Sequence, residues 1–227
     1  IADGDWSSDV CSSDLVEAAY SRNHQFRFVD RDTRLPGFDT WLMADEGVPP
    51  ADAHQVSLGT TLDLSERWRL DLGSYYRSMN SLHELKPWFS TFDLAERPHA
   101  QRFRTGEGRA YGGEVYLQRR GGRVTGTLSY TLGRTERQFS HPISRLHNTT
   151  RVAGHDRTHD LTVALRWHVS EAWTLTSQFG YKSGRPYTPG AEDPLLDHPF
   201  PSRPDRNRAQ KRYTDRLPAY HRLDVGV

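Results

Sequence analysis

The residues best suited to chemistry sit close together at His155, Asp156, His159 and Asp160. Imidazole and carboxylate at this density are metal-ligand types, and Asp156 and Asp160 flank His159 at the edge of an apolar-patterned segment. A metal centre needs its donors to converge. In an extended chain successive side chains leave opposite faces, so His159 and Asp160 point apart, and no metal site is expected. No Gly-x-Ser-x-Gly elbow is present and no His/Asp pair accompanies a distinctive serine, so the chain reads as non-enzymatic, with no cofactor. Gly106 and Gly108 form a turn cue too sparse to cradle phosphate. Asn148-Thr149-Thr150 matches a glycosylation sequon by residue type only.

Two long polar stretches hold the remaining candidates. Residues 80–108 mix Trp88, Phe89 and Phe92 with His83, His99 and Arg102, a set that can form an aromatic ligand platform on an exposed loop. Residues 184–218 carry Arg185, Arg203, Arg206, Arg208, Lys211, Arg212 and Arg216. Arginine forks of this kind suit an anionic ligand or the phosphates of outer-membrane lipid, lipopolysaccharide included. Trp88, Phe89, Phe92, Arg102, Arg203, Arg206 and Arg208 are therefore the expected ligand contacts.

The elements that position these residues follow from a period of two. Val56, Leu58, Thr60, Leu62 and Leu64 alternate with Gln55, Ser57, Gly59, Thr61 and Asp63. The same alternation runs through Trp68–Tyr76, Val124–Gly133, His159–Val169 and Trp173–Tyr181. A helix would set alternate residues about 200° apart, so these are strands. Expected strands span 16–28, 54–64, 67–80, 109–119, 123–138, 158–169, 173–183 and 219–227.

Connections come in two kinds. Short turns fall at Ser65-Glu66-Arg67, Arg120-Gly121-Gly122 and Ser170-Glu171-Ala172. Long loops fall at 30–53, 80–108, 139–157 and 184–218, in strict alternation with the turns. Long loops at one end of a meander and short turns at the other are the layout of outer-membrane barrels. Trp68, Trp167 and Trp173 lie near short turns, as aromatics at a membrane interface would. Tyr75, Tyr76, Tyr130 and Tyr181 are the candidates for the opposite girdle.

Composition agrees with such a class. Net charge is +1 and hydrophobic residues make up 35% of the 227 residues, so no global field calls for nucleic acid. No run of about 18 apolar residues offers a transmembrane helix, but barrel strands alternate and need none. The single cysteine, Cys11, lies in an opening stretch unlike the rest. Ser8 to Leu15 resembles one reading frame of a sequencing adapter, so residues 1–15 are set aside as an expected artefact and fold reasoning begins at Val16. Residues 16–227 are expected to form one partial barrel domain.

Three segments carry a family resemblance. "GRAYGGEVYLQRRGGRVTGTLSYTLGRTER" (Gly108–Arg137), "HDRTHDLTVALRWHVSEAWTLTSQFGYKSGRPYTP" (His155–Pro189) and "RLPAYHRLDVGV" (Arg216–Val227) resemble successive late barrel strands of TonB-dependent receptors. The resemblance implies an all-β, antiparallel, up-and-down transmembrane barrel, of which this chain holds about 8 of about 22 strands. It implies a bacterial cell outer-membrane location and active uptake of a small, scarce extracellular ligand. It also implies energy relayed by TonB through an N-terminal plug region that the sequence here lacks. The residue pattern leaves two alternatives open: a small outer-membrane barrel enzyme of protease or phospholipase type, and a secreted β-sandwich that binds carbohydrate. The sandwich would bury its apolar face inside the protein. The barrel enzyme would need catalytic groups gathered at the outer rim.

Overall fold

A computed structural model describes residues 14–31, 39–45, 47–85, 101, 103–139, 150–187 and 214–227. The described elements are strands: β1 (Leu15–Gln25), β2 (Arg27–Arg31), β3 (Asp39–Met43), β4 (Ala51–Ser65), β5 (Trp68–Leu85), β6 (Phe103–Arg119) and β7 (Val124–Phe139), followed by β8 (Arg151–Val152), β9 (His159–His168), β10 (Thr174–Lys182), β11 (Pro186–Tyr187), β12 (Asp215–Arg216) and β13 (Tyr220–Gly226). The protein is all-β and antiparallel. The main sheet runs β1-β4-β5-β6-β7-β9-β10-β13, with β8 as a short addition on β7. Each long strand thus pairs with the next long strand in sequence, as a meander requires.

All eight expected strands are present, and the differences lie at their ends. β1 begins one residue early: Leu15, set aside with the opening stretch, pairs with Thr61. Residues 1–13 lie outside the described residues. β5 and β6 run well past their expected ends at 80 and 109, to Leu85 and from Phe103. A register shift between Met79 and Leu82 explains the shortfall. Ser81 there adopts φ of 53°, and the alternation changes phase. The short turns close as expected. Gly121 and Gly122 take φ of 72° and 81°, which a side chain would resist. Ser170 and Trp173 exchange backbone hydrogen bonds of 3.3 and 3.4 Å. β1 stops at Gln25, short of its expected end at 28, and Arg27 and Phe28 instead open the β2–β3 hairpin, a separate sheet; the polarity of 184–218 likewise hid the β11–β12 ladder at its base.

Register carries each face across the sheet. Tyr20, Val56, Tyr76 and Tyr111 are successive partners, as are Val16, Thr60, Leu72, Val115 and Tyr130. Leu128, Val163, Phe179 and Leu223 continue the same face. This apolar face stays open. Leu58 is 56% exposed and Leu223 61%, with Val56, Leu165, Trp167 and Val225 similarly uncovered. The buried apolar residues are only Val48, Ala51, Ala53, Met79 and Ala153 among those described, none from the middle of the apolar face. An ordinary antiparallel sheet places its apolar face on a core; here no second layer covers it among the described residues.

β1 and β13 each pair along one edge only. No ladder joins them among the described residues, so the pairing is an open path with two ends.

Candidate functional site

The seven expected ligand contacts, Trp88, Phe89, Phe92, Arg102, Arg203, Arg206 and Arg208, lie outside the described residues. The structure does define the bases on which their loops stand. At the base of 80–108, Glu84 on β5 accepts hydrogen bonds from Arg104 on β6, and the Arg104 guanidinium sits 5.2 Å from the centre of the Phe139 ring. His83 Nε2 lies 2.6 Å from the Pro49 carbonyl, and its ring meets Phe28 edge-on at 4.6 Å. Pro49 and Phe28 are thereby packed onto this base.

The base of 184–218 is tied by one buried carboxylate. Asp156, its side chain 1% exposed, accepts the Thr135 backbone N–H at 2.7 Å and Arg216 Nη2 at 2.6 Å. Arg216 also donates through Nη1 to the Gly184 carbonyl at 2.9 Å. Leu217 N–H reaches the Arg185 carbonyl at 3.0 Å. Asp156 thus joins β7, the approach to β9 and the returning arm of the loop. Arg216, counted among the loop cations by sequence, is committed to this clip and is not a free anion contact.

The other members of the His/Asp group disperse. His159 Nδ1 is 2.8 Å from the Tyr130 hydroxyl, on the apolar face. Asp160 pairs with Lys182 Nζ at 2.8 Å on the opposite face. His155 is exposed overall, yet burial of its ring is the largest influence on its pKa and lowers it. The Arg137 charge adds to that shift and Asp156 opposes it. No group of three metal-ligand side chains converges among the described residues.

The polar face is linked laterally. Asp71 accepts Thr61 Oγ1 at 2.6 Å and Arg69 Nε at 3.1 Å. Tyr75 corrects an expectation. It does not belong with the girdle tyrosines, because it opposes Gly112 while Tyr76 opposes Tyr111. Its ring lies over the polar face, 2.9 Å from where a Cβ on Gly112 would stand, and its hydroxyl is 3.2 Å from that position on Gly133. Two glycines on adjacent strands therefore make a seat for one aromatic ring. Toward the short turns, a concavity of about 690 Å³ crosses five strands and is lined by Gln118, Arg120, Thr127, Arg166, Gln178 and Asp224. These side chains alternate with the apolar set, so the polar face is the hollow one there.

On the apolar face, aromatics gather at both ends. Trp68 opposes Arg119, whose guanidinium lies 5.5 Å from the indole centre, and Trp167 opposes Val124 and Leu175. Trp173 is exposed in the following turn. At the long-loop end stand Tyr20, Tyr76, Tyr111, Tyr130 and Tyr181. Tyr20 repeats the Tyr130 arrangement, its hydroxyl 2.7 Å from His54 Nδ1. Sequence reading missed Tyr20 and Tyr111. It also missed the charged pairs beyond them, because the partners lie on different strands. The available signal was alternation itself: Tyr20-x-Arg22, His54-x-Val56 and Arg109-x-Tyr111 each set a polar group one step beyond an apolar-face position.

No family model and no curated protein matches this chain.

Proposed function

We propose that the chain is part of an outer-membrane β-barrel of the TonB-dependent receptor class, which binds a small extracellular ligand on its long loops and takes it up actively. The single observation that carries the membrane reading is the apolar face. It continues across eight strands, stays uncovered by the described residues, ends in aromatic rows, and backs onto a hollow polar face. A large exposed apolar surface marks a protein or membrane contact, and a lipid-facing band between aromatic girdles has this layout. Trp68 and Tyr76 are eight positions apart on β5. That is about 26 Å along a strand and about 20 Å along the membrane normal at a tilt of about 40°, near the height of an outer-membrane apolar band.

The polar face then becomes the lumen, where Asp71, Arg69, Asp160 and Lys182 neutralise one another. The short turns become periplasmic and the long loops extracellular. On this reading Trp88, Phe89, Phe92, Arg102, Arg203, Arg206 and Arg208 contact the ligand. The receptor assignment within barrels draws on the likeness of Gly108–Arg137, His155–Pro189 and Arg216–Val227 to late strands of that class. A β-sandwich reading would need a partner layer on Leu58, Leu72, Val163 and Leu223. An enzyme reading would need converging catalytic groups, whereas Asp156, Arg216, Glu84 and Arg104 at the rim are spent on loop anchoring.

The membrane half is tested by fractionating cells that express the full-length protein. It should sediment with outer membranes and leave them only in detergent; recovery as a soluble secreted protein contradicts the reading. The transport half is tested by screening the purified protein against iron chelates, cobalamin, oligosaccharides and peptides. Cells lacking TonB should bind the selected ligand without accumulating it, and TonB-independent accumulation contradicts active uptake.

A further inference from the structure

One register row on the apolar face is charged. Arg22 pairs with His54, His54 with Ser78, Ser78 with Arg109, and Arg109 with Glu136, across β1, β4, β5, β6 and β7. The next row toward the short turns is Tyr20, Val56, Tyr76, Tyr111 and Arg134. Arg22, His54 and Arg109 therefore lie directly beyond Tyr20, Val56 and Tyr111, on the apolar side that the described residues leave uncovered and at the long-loop end.

The charges are held in place and remain accessible. Arg22 Nε donates to Asp52 at 2.9 Å, which leaves the arginine side chain 55% exposed. Glu136 receives Arg109 Nη2 at 2.7 Å and Arg134 Nε at 2.8 Å, and those two side chains stay 53% and 42% exposed while Glu136 is nearly covered. Three guanidinium groups thus share two carboxylates. The surplus is positive before His24 and His54, both beside Asp52, add any charge. Strands about 4.8 Å apart put Arg22 and Arg109 about 14 Å from each other, so the row spans more than one lipid headgroup.

We infer that this row, together with Arg134 one step nearer the short turns, is a binding surface for the phosphate groups of anionic lipid in the leaflet at the long-loop end, with Arg22, Arg109 and Arg134 as the donors. The inference rests on the membrane reading above. Interfacial tyrosines fix the depth, because the ring stays in hydrocarbon while the hydroxyl reaches water. One residue farther along each alternating strand face is then headgroup level. Guanidinium forks there can donate to phosphate oxygens while keeping their carboxylate partners. The carboxylates preset the forks, so less side-chain freedom is lost when phosphate arrives.

The test reconstitutes the full-length protein into vesicles of phosphatidylcholine with one-tenth phosphatidic acid, and measures by mass spectrometry which lipids stay bound after detergent stripping. Quenching of tryptophan fluorescence by brominated phosphatidylcholine is read on the same samples. Wild type should be quenched and should retain phosphatidic acid selectively. Arg22→Gln, Arg109→Gln and Arg134→Gln should each lower that retention roughly fivefold, the scale expected for one basic group at an anionic surface. Replacement by lysine should restore much of it. Arg222→Gln, on the polar face, should change nothing. Unchanged retention in the three glutamine variants, with quenching intact, overturns the phosphate row alone. Loss of quenching in wild type overturns the membrane reading and the row together. Added inorganic phosphate should not displace the lipid; displacement would assign the site to free anion and contradict the proposal.

Discussion

Strands β5 and β9 show two chemistries back to back. On one side Asp71 gathers Thr61 and Arg69, and Asp160 holds Lys182. On the other, Leu70, Leu72, Leu161 and Val163 present hydrocarbon, and hydrogen bonding resumes only at the long-loop end, where Tyr130 meets His159. The backbone ladder is common to both sides. The difference lies in what each set of side chains needs: the polar groups satisfy one another within the sheet, whereas the apolar groups have no complement in the described chain. A surface left in that condition across eight strands marks a contact with a partner or a membrane, and it is the observation that supports the proposed bilayer setting.

The largest effect at the loop end of the sheet should come where it depends on one charge. Asp156→Asn removes the anion that Arg216 and Thr135 share. Breaking a buried pair leaves its partner uncompensated; the expected cost is about 3 kcal/mol, the low end of the usual range, because Arg216 keeps a third of its surface exposed. Denaturant unfolding should report the loss, and limited proteolysis should cut within 184–218 sooner than in wild type. An unchanged cleavage rate would show that the clip does not hold that loop.

The faces themselves separate at adjacent positions. Val163→Arg, on the apolar side, should cost about 2–4 kcal/mol of membrane-folding stability, and Thr162→Arg on the polar side much less. Equal costs at the two positions would erase the distinction between the faces.

Glycines sharpen the same comparison at smaller amplitude. A Cβ on Gly112 would stand 2.6 Å from the Leu132 carbonyl oxygen and 2.9 Å from the Tyr75 ring. A Cβ on Gly113, one residue on and facing the apolar side, would meet nothing nearer than 3.6 Å. Gly112→Ala should therefore destabilise by about 1–3 kcal/mol, as overpacking does, and Gly113→Ala should be close to neutral. Comparable unfolding midpoints for the two variants would remove the seat assigned to Tyr75. The smallest effect should be at Arg222, whose pair with Asp224 is open to solvent; Arg222→Gln should leave the midpoint unchanged.

What the sequence made legible was whatever alternation can carry. Val56 to Leu64 and Leu161 to Trp167 announce their strands and their faces because each run is long and unbroken. Beyond Met79 the bulge at Ser81 shifts the phase, so β5 and β6 look shorter than they are. β11 and β12 are two residues each, too short for any period, and they depend on an ion pair between positions 60 apart. The row through Arg22, His54, Arg109 and Glu136 was hidden for a related reason. Each residue is an ordinary strand-end charge until the register aligns five strands. The aromatic and basic loop residues at 88–102 and 203–208 lie outside the described residues, so ligand contact there stays a proposal carried by residue type.

The most direct test of the account sets two neighbouring residues of β9 against each other. Spin labels placed singly at positions 163 and 164 of the full-length protein, reconstituted in lipid vesicles, are exposed to oxygen, which concentrates in hydrocarbon, and to a water-soluble nickel chelate. A lipid-facing apolar surface and a hollow polar one require position 163 to respond chiefly to oxygen and position 164 chiefly to the chelate. Equal response to both relaxers at the two sites would contradict the two-faced membrane sheet on which the rest depends.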